Sequence, residues 1–160
     1  MNKRSDTKKK RDGEFVIVPF VLDDLDQIDE IETLTFPEPW KRSDFVDLNK
    51  YNEFVILVAK DGIEVVGYAV YQKLPEEFEL HNIAVKSDYR KHGVASALIE
   101  NMLSDADSMK VCEVYLQVRE SNLAAKRLYE KFGFQIVGFR PKYFSDNKED
   151  ALVMKRSKGI

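Results

Sequence analysis

The residues with the plainest chemistry form one turn, Arg90-Lys91-His92-Gly93-Val94-Ala95-Ser96. It follows an apolar-alternating run that carries Glu79, His81, Ile83, Ala84 and Val85, and it leads into an Ala/Leu-rich segment of helical period. Strand, turn and helix in that order put the first, unpaired N–H groups of a helix at the positive end of its dipole, and Gly93 lets the backbone approach a ligand closely. Arg90 and Lys91 add fixed charge at the mouth. Such a turn binds a phosphate. Its spacing is neither GxxxxGK[ST] nor GxGxxG, so the phosphorylated ligand is expected to be neither ATP nor NAD.

Around this turn the sequence supplies the elements of an α+β fold. A β-rich run at 14–20, closed by Pro19, reads as the first strand. Asp23 or Asp24 can cap a helix with Leu25, Ile28, Ile31 and Leu34 on one face and a solvated acidic face opposite. Phe36-Pro37-Glu38-Pro39-Trp40 ends that helix, because two prolines hold the segment extended, and a stiff loop suits the rim of a groove. Ser43 is placed to cap a short second helix with Phe45, Val46 and Leu48. Runs at 54–60 and 63–73 form a hairpin across Asp61-Gly62.

Beyond the turn, Ala95, Leu98, Ile99 and Met102 share the helix face that packs on the sheet. The next strand, 111–118, sends Cys112, Val114, Leu116 and Val118 one way, which makes Cys112 a small buried hydrophobe rather than a nucleophile. Asn122 or Ser121 caps a helix with Ala125, Leu128 and Phe132 inward and Gly133 as its stop, and 134–140 and 151–156 are the last strands. The order β, α, α, β, β, β, α, β, α, β, β predicts a mixed, mostly antiparallel seven-stranded sheet with helices on both faces.

Composition narrows the class. The chain has 160 residues, 44% of them hydrophobic, which predicts one domain with a sizeable core at 14–156. A net charge of -3 gives no reason to expect nucleic acid as the main partner. No apolar run is long enough to span a membrane, the N-terminus lacks the apolar core of a signal peptide, and a single cysteine suits a reducing, cytoplasmic setting. Within the first eleven residues six basic side chains stand against Asp6, so 1–13 reads as a disordered basic arm, either a solvated tail or an attraction to ribosomes or RNA. The two histidines, His81 and His92, predict no zinc site.

Arg90-Lys91-His92-Gly93-Val94-Ala95 fits [Q/R]-x-x-G-x-[G/A] and resembles the acetyl-CoA pyrophosphate loop of the GNAT acetyltransferase superfamily. Val118-Arg119-Glu120-Ser121-Asn122-Leu123-Ala124-Ala125-Lys126-Arg127-Leu128-Tyr129-Glu130-Lys131-Phe132-Gly133-Phe134 resembles the family's second signature, and Phe36-Pro37-Glu38-Pro39-Trp40 its substrate loop. Spanning 15–154, the likeness is to the archaeal and bacterial protein N-terminal acetyltransferases. It implies the GNAT fold, acetyl-CoA as acetyl donor with no metal, and protein N-termini as substrate for a monomeric enzyme. The backbone of Ile83, Ala84 and Val85 would pair with the pantetheine arm between two splayed central strands. Arg90, Lys91 and the amides of His92, Gly93, Val94, Ala95 and Ser96 would hold the pyrophosphate, and Asn122 would contact the cofactor. Phe36, Glu38, Trp40, His81 and Tyr143 would form the substrate side, although Trp40 serves equally as core and His92 as a solvated loop residue.

Acetyl transfer from a thioester to an amine needs a neutral amine, a donor for the oxyanion and an acid for the leaving thiolate. A peptide α-amine has a pKa of about 8 and a lysine about 10.4, so a base is expected for either. Glu79 lies where the histone-acetyltransferase branch keeps a glutamate base, shares a strand face with His81, and would be a better base if flanked by apolar strands. Gln117 departs from the resembling enzymes, which commonly carry glutamate in Leu-Glu-Val-Arg where this chain reads Leu116-Gln117-Val118-Arg119. An amide cannot take the proton but can hold a water, which moves the base to Glu79. Tyr129 is the expected acid. The competing readings are Glu79 as a strand-end charge, Tyr129 as packing, lysine side chains or small amines as substrates, and a non-catalytic acyl-CoA-binding module.

Overall fold

A computed structural model describes residues 14–158; the basic arm at 1–13 lies outside the described residues. Strands β1 (Val16–Pro19), β2 (Phe54–Asp61), β3 (Glu64–Lys73), β4 (Glu77–Val85), β5 (Glu113–Arg119), β6 (Gln135–Arg140) and β7 (Ala151–Ser157) form one sheet in the order β1-β2-β3-β4-β5-β7-β6. Every pairing is antiparallel except β4 with β5. Helices α1 (Leu25–Thr35) and α2 (Arg42–Leu48) cover one face, where Ile28, Phe45, Val58 and Tyr68 are fully buried. On the other face, α3 (Val94–Ser108) and α4 (Leu123–Lys131) enclose Leu98, Met102, Leu116 and Met154. The predicted element order and layering are therefore present. Gly67 permits the contact between α3 and the sheet, since a Cβ there would lie 2.9 Å from Val94 Cγ1 and 3.0 Å from Ala84 O.

Four local expectations are corrected. On α1, Ile28 and Ile31 are buried, but Leu34 is 80% exposed and Glu32 only 1%. The helical period of 3.6 continues the apolar stripe from Ile28 to position 32, so the acidic face is not wholly solvated. Asp24 Oδ2 accepts from Val21 N (3.0 Å), tying a 3-10 turn at Leu22–Asp24, and Oδ1 pairs with Lys60 (2.7 Å). The cap of α2 is made not by Ser43, which lies within the helix, but by Asp44 reaching back to Lys41 N (2.8 Å). The hairpin pairs Asp61 with Glu64, so its loop is Gly62-Ile63, and Gly62 alone of the two takes a positive φ (+62°). Cys112 precedes β5 and is exposed, whereas Val111 is buried: the alternation begins only where the ladder does, at Glu113. Asn122 is the cap of α4, its Oδ1 accepting from Ala125 N (3.1 Å), and Gly133 follows the helix at φ +89°.

Candidate active site

The ladder between β4 and β5 runs only from Glu77↔Glu113 to Leu80↔Leu116. Beyond it, β4 stays bonded to β3 and β5 to β7, so the two strands part and leave a β4 backbone edge without a strand partner. This is the gap the resemblance implied. A cleft of ≈ 610 Å³ opens there, walled by β4, β5, α4, the α1–α2 loop and the β6–β7 connection. At the point of parting β4 carries a bulge: Leu80 pairs with Tyr71 and Asn82 with Val70, and His81 is the extra residue.

Glu79, Gln117 and Tyr129, expected at the reacting groups, and His81, expected on the substrate side, all line this cleft. The dry, apolar flanks expected around Glu79 are absent, because it is half-buried and its cross-strand neighbours are Gln72 and Tyr115. His81 Nε2 lies 2.9 Å from Gln72 Oε1, and its ring packs on Phe54 (5.9 Å between centroids). Burial of the ring lowers the His81 pKa, against a smaller upward pull from Glu79, although the residue as a whole is exposed. Gln117 Oε1 is buried and accepts no hydrogen bond from the described residues. Tyr129 is buried against Phe134, and burial holds its hydroxyl well above the ordinary tyrosine pKa. That hydroxyl has no hydrogen-bond partner among the described residues.

The two rims of the cleft are each held by one charged residue that sequence reading passed over. Glu32, buried on α1, accepts from Trp40 N (3.0 Å), Asn82 Nδ2 (2.9 Å) and the Tyr68 hydroxyl, which fixes the Phe36–Trp40 loop to β3 and β4. Desolvation and this carboxylate push the Tyr68 pKa up, so the tyrosine stays a donor. Arg119, at the end of β5, pairs with Asp146 (2.9 Å) and Glu149 (3.5 Å) and stacks over Phe144 (3.9 Å). Glu149 also accepts from Ser121 N (2.6 Å), and these donors hold its pKa at about 2. Glu32 could have been found from its place on the apolar stripe of α1; the partners of Arg119 carry no local signal. Across the cleft, Ser145 Oγ donates to the Glu38 carboxylate (2.6 Å to each oxygen), so the two rims meet.

Phe36, Glu38, Trp40, Ile83, Asn122 and Tyr143 thus join Glu79, His81, Gln117 and Tyr129 in one cleft, with Trp40 also packing on Phe45 (5.4 Å). Arg90, Lys91, His92, Gly93, Val94, Ala95 and Ser96 are not part of its wall; they form the turn before α3 and its first residues, on from the end of β4. Ala84 is buried under the α1–α2 side, and Val85 O accepts from Arg90 Nε (3.3 Å). Gly93 takes the left-handed backbone (φ +84°) with no atom within 4 Å of where a Cβ would lie, Lys91 also has φ +63°, and the first helical backbone bond is Ala97 N to Gly93 O (3.0 Å). The amides of Val94, Ala95 and Ser96 precede that bond and face no helical acceptor. Among the described residues no group of three or more His, Cys, Asp or Glu is arranged to hold a metal, and no helix is long and apolar enough to cross a membrane.

Residues 25–134 match the model of the acetyltransferase (GNAT) family. A putative [ribosomal protein bS18]-alanine N-acetyltransferase of Bacillus subtilis is 34% identical over 136 residues, covering 83% of this chain and 89% of the relative. An N-alpha-acetyltransferase of Saccharolobus solfataricus is 34% identical over 162 residues, covering 93% and 96%. The crystal structure of the ribosomal-protein-S18-alanine N-acetyltransferase from Escherichia coli superposes with a TM-score of 0.83 at 29% identity, covering 91% of this chain and 95% of that one. With the splayed central strands, the glycine turn before α3 and the tyrosine of α4 all in place, the chain belongs to the GNAT family of acetyltransferases.

Proposed function

We propose that this chain transfers the acetyl group of acetyl-CoA to the α-amine of a protein N-terminus. The observation that carries this reading is the meeting of the two rims through Glu38 and Ser145. A cleft bridged in this way suits a chain end and disfavours a lysine presented from mid-chain. The names of the two relatives above support the same substrate class. The residues also fit the donor: the unladdered edge of β4 can pair with an amide-bearing arm, and the turn at Arg90, Lys91 and Gly93 with the amides opening α3 suits a pyrophosphate.

In this reading Glu79 is the base, Gln117 Oε1 positions a water or the amine, and Tyr129, kept protonated by burial, protonates the leaving thiolate. Tyr143 and Trp40 contact the incoming peptide. The setting is the cytoplasm and the enzyme acts as a monomer, with the arm at 1–13 available to ribosomes or RNA. A second reading, acetylation of lysine side chains or small amines, is favoured by the glutamate at position 79. Two peptides separate them, one with a free α-amine and no lysine, the other N-terminally blocked with one lysine. Transfer to the first alone, falling at least about tenfold in Glu79→Gln, is expected; preference for the blocked peptide would refute the proposal.

A further inference from the structure

The bulge at His81 comes with a hydrogen-bonded chain of side chains, from Glu53 through Gln72 to the imidazole. Glu53 is pinned beside β3 by Lys73 N, which donates to Glu53 O (2.6 Å). Its carboxylate accepts from Gln72 Nε2 (3.0 Å). A carboxylate acceptor fixes which way the Gln72 amide lies, so Oε1, an acceptor only, faces His81 Nε2 at 2.9 Å. Nε2 must then carry the proton, and in the neutral ring Nδ1 is the one remaining basic atom.

We propose that His81 is a catalytic residue, the group on which the amine's proton comes to rest, and that Gln72 and Glu53 are positioning residues that impose its tautomer. This deepens, and rests on, the acetyl transfer to an α-amine proposed above. Glu79 stands on the same cleft wall, two residues away, and a neighbouring pocket of ≈ 370 Å³ is lined by His81 together with Asp44 and Asp47 of α2, Asp47 being paired with Lys50 (3.4 Å). Glu79 favours an imidazolium once it forms, while burial favours the neutral ring at rest. A proton drawn off the amine by Glu79 is passed to the ring, the two side chains standing on one cleft wall. On becoming an amide the ammonium loses two protons as the C–N bond forms and the C–S bond breaks. One goes to Nδ1 and later to solvent; the other restores the proton that Tyr129 gives to the thiolate.

The test combines imidazole 15N spectra of the whole protein, assigned by loss of a signal in His81→Ala, with pH profiles of kcat on the lysine-free peptide. A protonated Nε2 and bare Nδ1 are expected in the wild type. His81→Ala should lower kcat about a hundredfold and erase the acidic limb. Gln72→Glu, whose carboxylate still accepts from Nε2–H but favours the imidazolium, should move that limb up by roughly one pH unit. A merely structural Gln72 would instead scale the rate at every pH and leave the limb in place. An Nδ1–H tautomer, or an active wild type whose limb survives in His81→Ala, overturns the assignment to His81 alone. A wild type that acetylates no α-amine overturns the functional reading with it, whatever the tautomer.

Discussion

Replacing Glu32 by glutamine changes one atom and should loosen a whole rim. Two carboxylate oxygens at this buried site serve three donors, Trp40 N, Asn82 Nδ2 and the Tyr68 hydroxyl. An amide has one acceptor oxygen. Its better orientation keeps that oxygen towards Tyr68 and Asn82 and turns NH2 against the Trp40 N–H, so two donors face each other. One charge-assisted bond is lost and the other two become neutral. With hydrogen bonds to charged groups worth about 1.5–3 kcal/mol, the total is about 3 kcal/mol. In urea, with m of about 2 kcal/mol/M for a chain of this size, the midpoint should fall by about 1.5 M with m unchanged. The peptide KM should rise more than kcat falls, because Trp40 is the residue released. Tyr68→Phe, which removes one donor, should rescue part of this loss, so that the double variant is less than additive by about 1 kcal/mol. A midpoint shift below about 0.3 M with unchanged kinetics would refute the view that Glu32 holds the loop.

Other perturbations probe other parts of the site. Tyr129→Phe should leave the melting temperature within a degree or so of the wild type, since its hydroxyl has no hydrogen-bond partner among the described residues, and lower kcat on the order of a hundredfold; an equal loss of stability and rate would return Tyr129 to a packing role. Glu149, with its folded pKa held at about 2, stabilises the fold above the ordinary carboxylate range, and this contribution is lost as pH falls from about 4.3 through about 2. The stability difference between wild type and Glu149→Gln should therefore be flat above about pH 5 and vanish across that window in acid titrations. Gly67→Ala should force Val94 and the Ala84 carbonyl apart, destabilise by roughly 1–3 kcal/mol and raise the acetyl-CoA KM; an unchanged KM would show that α3 absorbs the methyl without moving its first turn.

What the sequence made legible was whatever repeats at short range. Period-two runs located β2 to β7, the apolar stripe of α3 located its buried face, and Gly93 and Asn122 marked the starts of the two helices that follow the central strands. Motif spacing also brought Glu79, Gln117, Tyr129 and the Phe36–Trp40 loop into one site. What escaped depends on partners far apart in the chain: Asn82 lies 50 residues from Glu32, and Ser145 lies 107 from Glu38. A single buried acid on an amphipathic helix reads as solvated until its donors are known, and Arg119 reads as a strand-end cation until the β6–β7 connection folds over it.

The bulge at His81 shows why strict alternation was right about one pair of residues and incomplete about the strand. Glu79 and His81 do share the cleft wall, as a period of two requires. Continued unbroken, the same period would send Asn82 with Phe78 and Leu80 into the apolar layer under α3 and α4, where an amide finds no partner. One inserted residue turns Asn82 to Glu32 on the α1 side and leaves Ile83 packed against the opposite layer. It falls next to Leu80, the last residue of β4 laddered to β5, so the irregularity that satisfies Asn82 also marks where the cleft begins. The site is therefore cut into the sheet by the register of one strand, and the residue displaced at that cut is the imidazole held by Gln72.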